Sequence, residues 1–448
     1  MIHQQRIQLL NTQSLHSGDY VVYWMQASQR VLDNHALEFA IKKANELRKP
    51  LVVYFGLTTS FPEANQRHYL FMFEGLQETA SLLEKRGIAF VIQQVSPEQG
   101  VISIAKNASL VVVDRGYLRV QRQWRQYAAH HLRCPLFQVE TDVVVPIETV
   151  SQKEEYTAAT IRPKIHKHLE TFLVSDTSEP IQRTCLKHHF ESLDLTNISS
   201  IVSTLPVDHT VKPSSLFHGG TSYALRFLRR FIQQKLPLFS ELRNDPNKEY
   251  CSYMSPYLHF GQISPLTIAL KIRATGDSNT GAYLEELIVR RELSMNYVYY
   301  NSSYDSFDGL PSWAKTTLLK HAKDPREYIY TKDELEQAKT HDLFWNAAQL
   351  DMKQKGKMHG YMRMYWGKKI IEWTKSPQEA FQIALSLNNK YELDGRDPNA
   401  FTGVAWCFGK HDRAWKERPI FGKVRYMNNT GLKRKFDMKT YVEKSLIS

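Results

Sequence analysis

VVYWM (21–25), LVVYFGL (51–57), IAFVIQQ (88–94), SLVVVD (109–114) and LFQVE (136–140) are five short β-rich runs. Amphipathic helical patterns lie among them, at Ala36 to Leu47 and Gln66 to Lys85. Runs this apolar suit strands buried on both faces, and their alternation with helices predicts a parallel sheet covered on both sides. The expected fold class is thus an α/β, Rossmann-like N-terminal domain. Ligands in such folds collect outside the carboxyl ends of the strands. No GxGxxG or GxxxxGK[ST] follows any run, which argues against a dinucleotide fingerprint or a phosphate loop.

Beyond these strands the pattern changes. From Val150 to about Lys212 the pieces SQKEEYTAATIRPK, SDTSEP and LTNISS punctuate weak helical segments with Ser, Thr and Pro, as an interdomain connection does. After Ser215 helical patterns take over, at Thr221 to Gln234, Ser264 to Thr275, Gly281 to Tyr300, Lys332 to Lys339, His359 to Trp373 and Pro377 to Leu387. The expected organisation is an α/β domain over 1–149, a linker over 150–213 and an all-α domain over 214–448. A length of 448 residues with 42% hydrophobic content is ample for two or three cores.

The formal charge is +12, and from Phe408 to Ser448 eleven Lys/Arg face only four Asp/Glu. This imbalance points to a polyanionic partner, although a solvated basic tail has the same composition. Four cysteines without a CxxC pair exclude a zinc ribbon and a disulfide framework. Cys185 near His188 and His189 offers three candidate metal ligands without a fourth, so no metal is expected. No apolar run approaches the ~18 residues of a membrane span, and no apolar leader opens the chain. A soluble intracellular protein is expected, cytoplasmic in a bacterium or nuclear in a eukaryote.

The richest chemistry lies between Thr340 and Asn399. Trp366 and Trp373 are seven residues apart, so on a helix they share one face about 10 Å apart. Trp345 precedes them. Arg363, Asp394 and Asp397 in the same stretch are types rarely buried unless paired or bound to something.

GKMHGYMRMYW (356–366) followed by LDGRDPN (393–399) resembles the flavin-binding half of photolyases and cryptochromes, most closely the class II cyclobutane pyrimidine dimer (CPD) photolyases. Other branches read MHNRxRM, whereas here Gly360 and Tyr361 replace the Asn and the first Arg, a class II mark. VVYWM, CSYMSPYLHFGQISP (251–265), EELIVRRELSMN (285–296), PSWAK (311–315) and HDRAW (411–415) extend the resemblance over nearly the whole chain.

The resemblance implies a carbon–carbon lyase that repairs CPDs in DNA with light, by electron transfer from excited, fully reduced FAD. It also implies a second antenna chromophore of deazaflavin or folate type in some relatives, a lesion recognised by base flipping, and a monomer. Ser252, Tyr253, Met254 and Ser255 match the segment that grips the diphosphate and ribitol of FAD. As bare sequence that segment is a helix capped by Ser with Pro at its first position, which leaves N–H groups free for a phosphate. Arg363 paired with Asp394, together with Asn388, Asp397 and Asn399, matches the flavin-ring set, with Asn388 facing N5. DGRDPN alone is equally an Asp/Gly/Pro turn.

By the same resemblance Glu286 hydrogen-bonds the lesion's carbonyls, a role that calls for an apolar pocket around it. Its bland reading is a solvated partner of Arg290. Met364, Trp406 and Trp415 would cradle the flipped bases, Arg425 would enter the duplex hole, and Arg243 would contact DNA. A surface hairpin arginine is the competing account of Arg425. The tryptophans would relay electrons from the surface at Trp373 through Trp345 to Trp366, although each alone reads as core. Two rivals remain in the same superfamily. A cryptochrome-like photoreceptor usually carries a long C-terminal extension, whereas this chain stops soon after Lys433 to Lys435; (6-4) photoproduct repair uses histidines in a motif that MHGYMRM does not supply.

Overall fold

The computed structural model describes residues 2–15, 17–175, 178–184 and 188–447, so Cys185 lies outside the described residues. The strands are β1 (Ile7–Leu9), β2 (Tyr20–Trp24), β3 (Leu51–Gly56), β4 (Ala89–Gln93), β5 (Ala108–Asp114) and β6 (Leu136–Val139), in spatial order β1-β6-β5-β2-β3-β4. All neighbours are parallel except β1 with β6, where Ile7 opposes Val139. The five strand runs read from the sequence are all present. The edge strand β1 was not legible, because three residues of which two are exposed carry no alternation signal.

Every residue of β2, β3 and β5 is buried. Their side chains divide by the two-residue period of the pleat. Val21, Tyr23 and Val53 pack with the helices His35–Leu47 and Gln66–Lys85, whereas Val22, Trp24 and Tyr54 pack with Pro97–Ile104 and Arg119–His131. The parallel strand order reverses at β2, so the crevice outside β2 and β5 is the topological switch point.

Among the described residues no strand follows β6, and the rest is helical. The connecting segment is more ordered than its composition suggests. It holds the fifteen-residue helix Ala158–Phe172, which buries Ile161, Ile165 and Phe172. Residues 280–300 run as Thr280–Leu284, a π-helical turn Glu285–Arg290, and Arg291–Tyr300. The helices Leu343–Lys355, Gly360–Trp373, Pro377–Tyr391 and Pro398–Cys407 surround a core that holds Trp345, Met362, Tyr365, Trp366 and Trp373.

Local chemistry sets these ends. Gly356 closes the first of the four at φ +73°, and Asp342, His359, Ser376 and Asp397 each accept from the opening turn of a helix. Among the described residues no helix is long and apolar enough to cross a membrane.

Candidate active site

The helix Gly360–Trp373 carries four of the predicted site residues, Arg363, Met364, Trp366 and Trp373. Trp345 stacks on Trp366 with ring centroids 6.3 Å apart and planes 6° from parallel, and meets Trp373 edge-on at 5.8 Å. The rings are therefore contiguous in the order Trp366–Trp345–Trp373. Trp345 Nε1 donates to the Trp366 carbonyl (3.0 Å), and Trp366 Nε1 donates to Gln349 Oε1 (2.8 Å), so the two indoles are fixed as well as packed.

The expectation that Trp373 lies at the surface is corrected, since it is only 2% exposed. Tyr330 and His341 pack on it at 5.5 and 5.2 Å, and Lys369 Nζ sits 5.5 Å from its ring. That expectation comes from the resemblance, which implies an order of rings and not their depth in this chain.

Arg363 lies among buried charges that the sequence reading only partly identified. Its Nη2 is 3.0 Å from Glu392 Oε2 and 3.7 Å from Asp394 Oδ1, so Glu392, not Asp394, is the closer partner. Asp394 instead takes Lys357 at 2.5 Å. Burial alone would raise the Asp394 carboxyl, but Lys357 and Arg363 outweigh it and hold the group well below the usual carboxylate range. Burial dominates at Glu392, which is pushed up to about 7 despite Arg363 and Lys357. Lys357 and Glu392 were missed because in KQKGKM and NKYELDG they look like ordinary solvated charges. The only available signal was their closeness to MHGYMRM and LDGRDPN.

Three buried atoms of this cluster, Arg363 Nε, Asn388 Nδ2 and Asp394 Oδ1, have no hydrogen-bond partner among the described residues, and a fourth, Glu392 Oε2, has only its ion pairs with Arg363 and Lys357. Orphaned donors and an acceptor in one place are costly unless something completes them. Two donors with an acceptor suit the polar edge of a heterocycle such as isoalloxazine, so the residues present fit a flavin.

Asp397 divides its role. It caps Pro398–Cys407 by accepting from Asn399 N (2.8 Å) and Nδ2 (2.9 Å), and it faces His259 at 3.3 Å. The Asn399 amide is thus partly committed to Asp397. The segment from Ser252 to Ser255 also departs from its expected form. Its helix, Ser255–His259, has only five residues, begins at Ser255 and is preceded by Met254, with no side-chain cap. Tyr253 sits at φ +59°, a conformation bulky residues seldom adopt. The segment lies near the charge cluster, for burial raises the Cys251 thiol while Lys357, Lys235 and Arg243 oppose the rise.

On the outer side, Arg243 Nη1 pairs with Glu286 Oε1 at 2.8 Å, and Arg243 O accepts from His359 Nε2 at 3.0 Å. Burial depresses His359 to about 4, which keeps it a neutral donor. The expected pairing of Glu286 and its expected surroundings both need correction. The π turn shifts the register, so Arg290 pairs with Glu285 (3.2 Å) and not Glu286. The Glu286 side chain is also 41% exposed beside an arginine, which is not an apolar pocket.

Trp406 lies 5.8 Å under Arg290, and Met364 Sδ touches Cys407 Sγ at 3.9 Å. Trp415, 40% exposed, is flanked by the guanidinium groups of Arg413 (5.3 Å) and Arg425 (5.1 Å). Aromatic faces beside guanidinium groups can stack on bases and meet phosphates.

A cavity occupies the switch point of the sheet, lined by Met25, Gln26, Phe55, Tyr69, Trp124 and Arg396 among others. Asp114, the last residue of β5, accepts from the backbone N–H groups of Gln26 (3.0 Å), Ala27 (2.9 Å) and Ser28 (3.1 Å) and from the Tyr23 hydroxyl (2.8 Å), which fixes the loop on its wall.

An α/β half with a crevice at its strand ends, joined to a helical half around a tryptophan column, is the architecture shared by photolyases and cryptochromes. The DNA photolyase family model matches residues 21–184. A deoxyribodipyrimidine photo-lyase of Methanothermobacter thermautotrophicus is 55% identical over 99% of this chain and 98% of its own. One of Potorous tridactylus is 40% identical over 99% of this chain and 84% of its own. Among solved structures, a class III photolyase of Agrobacterium tumefaciens superposes with a TM-score of 0.73 at 20% identity, covering 97% of this chain and 88% of its own. The chain belongs to the DNA photolyase family.

Proposed function

We propose that this chain is a class II CPD photolyase that splits pyrimidine dimers in DNA with light. The observation that carries the reading is the meeting, on the helix Gly360–Trp373, of the tryptophan column with the incompletely satisfied Arg363–Asn388–Asp394 set. Whole-length likeness to proteins named deoxyribodipyrimidine photo-lyase supports it. The class II assignment rests on MHGYMRM.

FAD, when bound in its reduced form, supplies the photoexcitable electron donor. Arg363 and Lys357 would offset negative charge on a bound flavin, while Asp394 and Glu392 keep those cations in place. The column from Trp373 through Trp345 to Trp366 recharges the cofactor and takes no part in the repair step. Trp406, Met364 and Trp415 receive the extruded bases, and Arg425 fills the gap they leave. Glu286, released from Arg243 when that arginine turns to the DNA, donates from a carboxylic acid group to the pyrimidine carbonyls as negative charge develops there. The reaction would break the two carbon–carbon bonds of the cyclobutane ring with no net redox change.

The cavity at the strand ends is proposed as the antenna site. Its lining of Phe55, Phe61, Tyr69, Trp124 and Phe260, with Gln26 and Arg396 among its polar groups, suits a planar chromophore that carries some polar atoms. The test is direct: the purified protein, reduced and illuminated with blue light, should remove thymine dimers from an oligonucleotide, and darkness should stop it. Bound flavin without lesion loss would favour the photoreceptor reading instead.

A further inference from the structure

The segment from His411 to Asn428 links the helices Pro398–Cys407 and Asn429–Lys435 and presents Trp415 and Arg425. It carries Arg413, Lys416, Arg418, Lys423 and Arg425, against only Asp412 and Glu417. Its tip is a narrow turn, with Trp415 N donating to Lys423 O (2.8 Å) and Arg418 and Gly422 exchanging backbone hydrogen bonds. The tip is also strained, because Ile420, a β-branched residue, sits at φ +67°. Such a loop keeps one shape only if its surroundings hold it there.

What holds it is the end of the helix Ser312–Lys320. Thr317 Oγ1 accepts from Lys423 N (3.0 Å), and Asp324 Oδ2 accepts from Ile420 N (2.8 Å). Between them stands His321, with Nδ1 2.6 Å from Asp324 Oδ2 and Nε2 2.9 Å from Glu417 Oε1. Both oxygens belong to carboxylates, which only accept. A neutral imidazole has one N–H and would turn a lone pair toward one of them, so two such bonds require both ring nitrogens to carry protons.

We propose that His321 is a positioning residue for DNA binding: its imidazolium staples the basic loop, through Glu417 and Asp324, so that Trp415 and Arg425 are presented in one arrangement. The inference rests on the reading that this loop meets DNA.

The charged groups facing the ring are Glu417 from the loop, Asp324 and Lys320 from its own segment, and Arg326 acting on Asp324. The bonds to Glu417 and then Asp324 raise the His321 pKa above its ordinary value. A raised histidine gives its full contribution below the ordinary pKa and loses it as pH climbs through the raised one. Loop anchorage should therefore weaken on the alkaline side. Lys320, which also pairs with Glu417 at 2.8 Å, remains as a residual tether.

The test uses the full chain and His321→Gln, with Glu417→Gln removing the same staple from the loop side. Affinity for a duplex carrying one thymine dimer is measured from pH 6 to pH 9 alongside the repair yield per photon absorbed by the bound complex. At pH 7 each variant should bind roughly threefold to tenfold more weakly, the scale of one or two part-exposed charge-assisted bonds, with the yield unchanged. The wild type should approach the variants as pH rises, while His321→Gln stays flat. Equal affinities at pH 7, or an unchanged pH profile in His321→Gln, overturn the staple.

Hydrogen exchange of the Ile420 and Lys423 amides without DNA separates this from the function itself. Faster exchange in both variants at a fixed pH supports the staple even if the protein repairs nothing. Unaltered exchange sinks it even if repair is intact.

Discussion

At the sheet's carboxyl edge one carboxylate, Asp114, is satisfied by three backbone N–H groups and a tyrosine hydroxyl, and the cavity beside it has largely apolar and aromatic walls. Around Arg363, two cations and two carboxylates share one buried volume, and three of the cluster's polar atoms are left without a partner. The carboxylate of the first site is complete as folded and the cavity's own orphans, Gln26 Nε2, Gln29 Oε1 and Arg396 Nε, carry no opposed carboxylate pair, so it would bind mainly by shape. The second is electrically incomplete and is finished only by what it holds, so one side-chain change there should cost more than one at the sheet.

The sharpest way to break this contrast is Arg363→Ala. It leaves Glu392 and Asp394 facing Lys357 alone, at a cost of about 3–5 kcal/mol. Most flavin should be lost on purification, read from the ratio of visible to ultraviolet absorbance; full flavin occupancy would end the proposed role. Next comes Trp345→Phe, which removes the middle ring of the column. Photoreduction of oxidised flavin by an external thiol should fall by an order of magnitude or more, while chemically pre-reduced protein keeps its repair rate. Photoreduction at the wild-type rate would make the three indoles merely core.

Asp114→Asn should act only at the sheet. An amide replaces an acceptor facing three N–H donors, so unfolding free energy should drop by about 1–3 kcal/mol while the flavin stays bound. A loss of flavin equal to that of Arg363→Ala would erase the distinction between the sites.

The smallest effect is electrostatic. The Glu392 carboxyl, raised to about 7, holds its proton more tightly in the folded chain than in the unfolded one. Its contribution is present below the ordinary Glu range and is lost as pH rises to about 7. In Glu392→Gln the decline in stability from pH 5 to pH 8 should be shallower, by on the order of 1 kcal/mol. Parallel curves for the two proteins would show that this proton is not taken up on folding.

The sheet was legible because buried parallel strands are written as apolar runs bounded by turns, and even the helix Gln66–Lys85 begins and ends where its pattern does. The tryptophans were legible as a group but not in depth, since Trp373 is covered by Tyr330 and His341 from a segment far from it in sequence. Arg363 was legible through its motif, while its nearest partner was not. Glu392 differs from a solvated glutamate only by what the fold brings over it. Glu286 was misjudged for a local reason, because a helix that widens by one residue breaks the four-residue rule on which its pairing was reckoned.

Arg67, at the start of the helix Gln66–Lys85, is fully buried, and its guanidinium donates to Lys212 O (2.7 Å), Tyr391 O (2.6 Å), Met352 O (3.2 Å) and Lys353 O. Three of these carbonyls lie in the last turns of Leu343–Lys355 and Pro377–Tyr391, where helix dipoles end negative. One cation from the first half thus terminates two helices of the second, and pulling the halves apart would strand it and four acceptors together. The halves should therefore melt in a single transition, and residues 1–149 made alone should fold poorly, however self-sufficient their sheet looks.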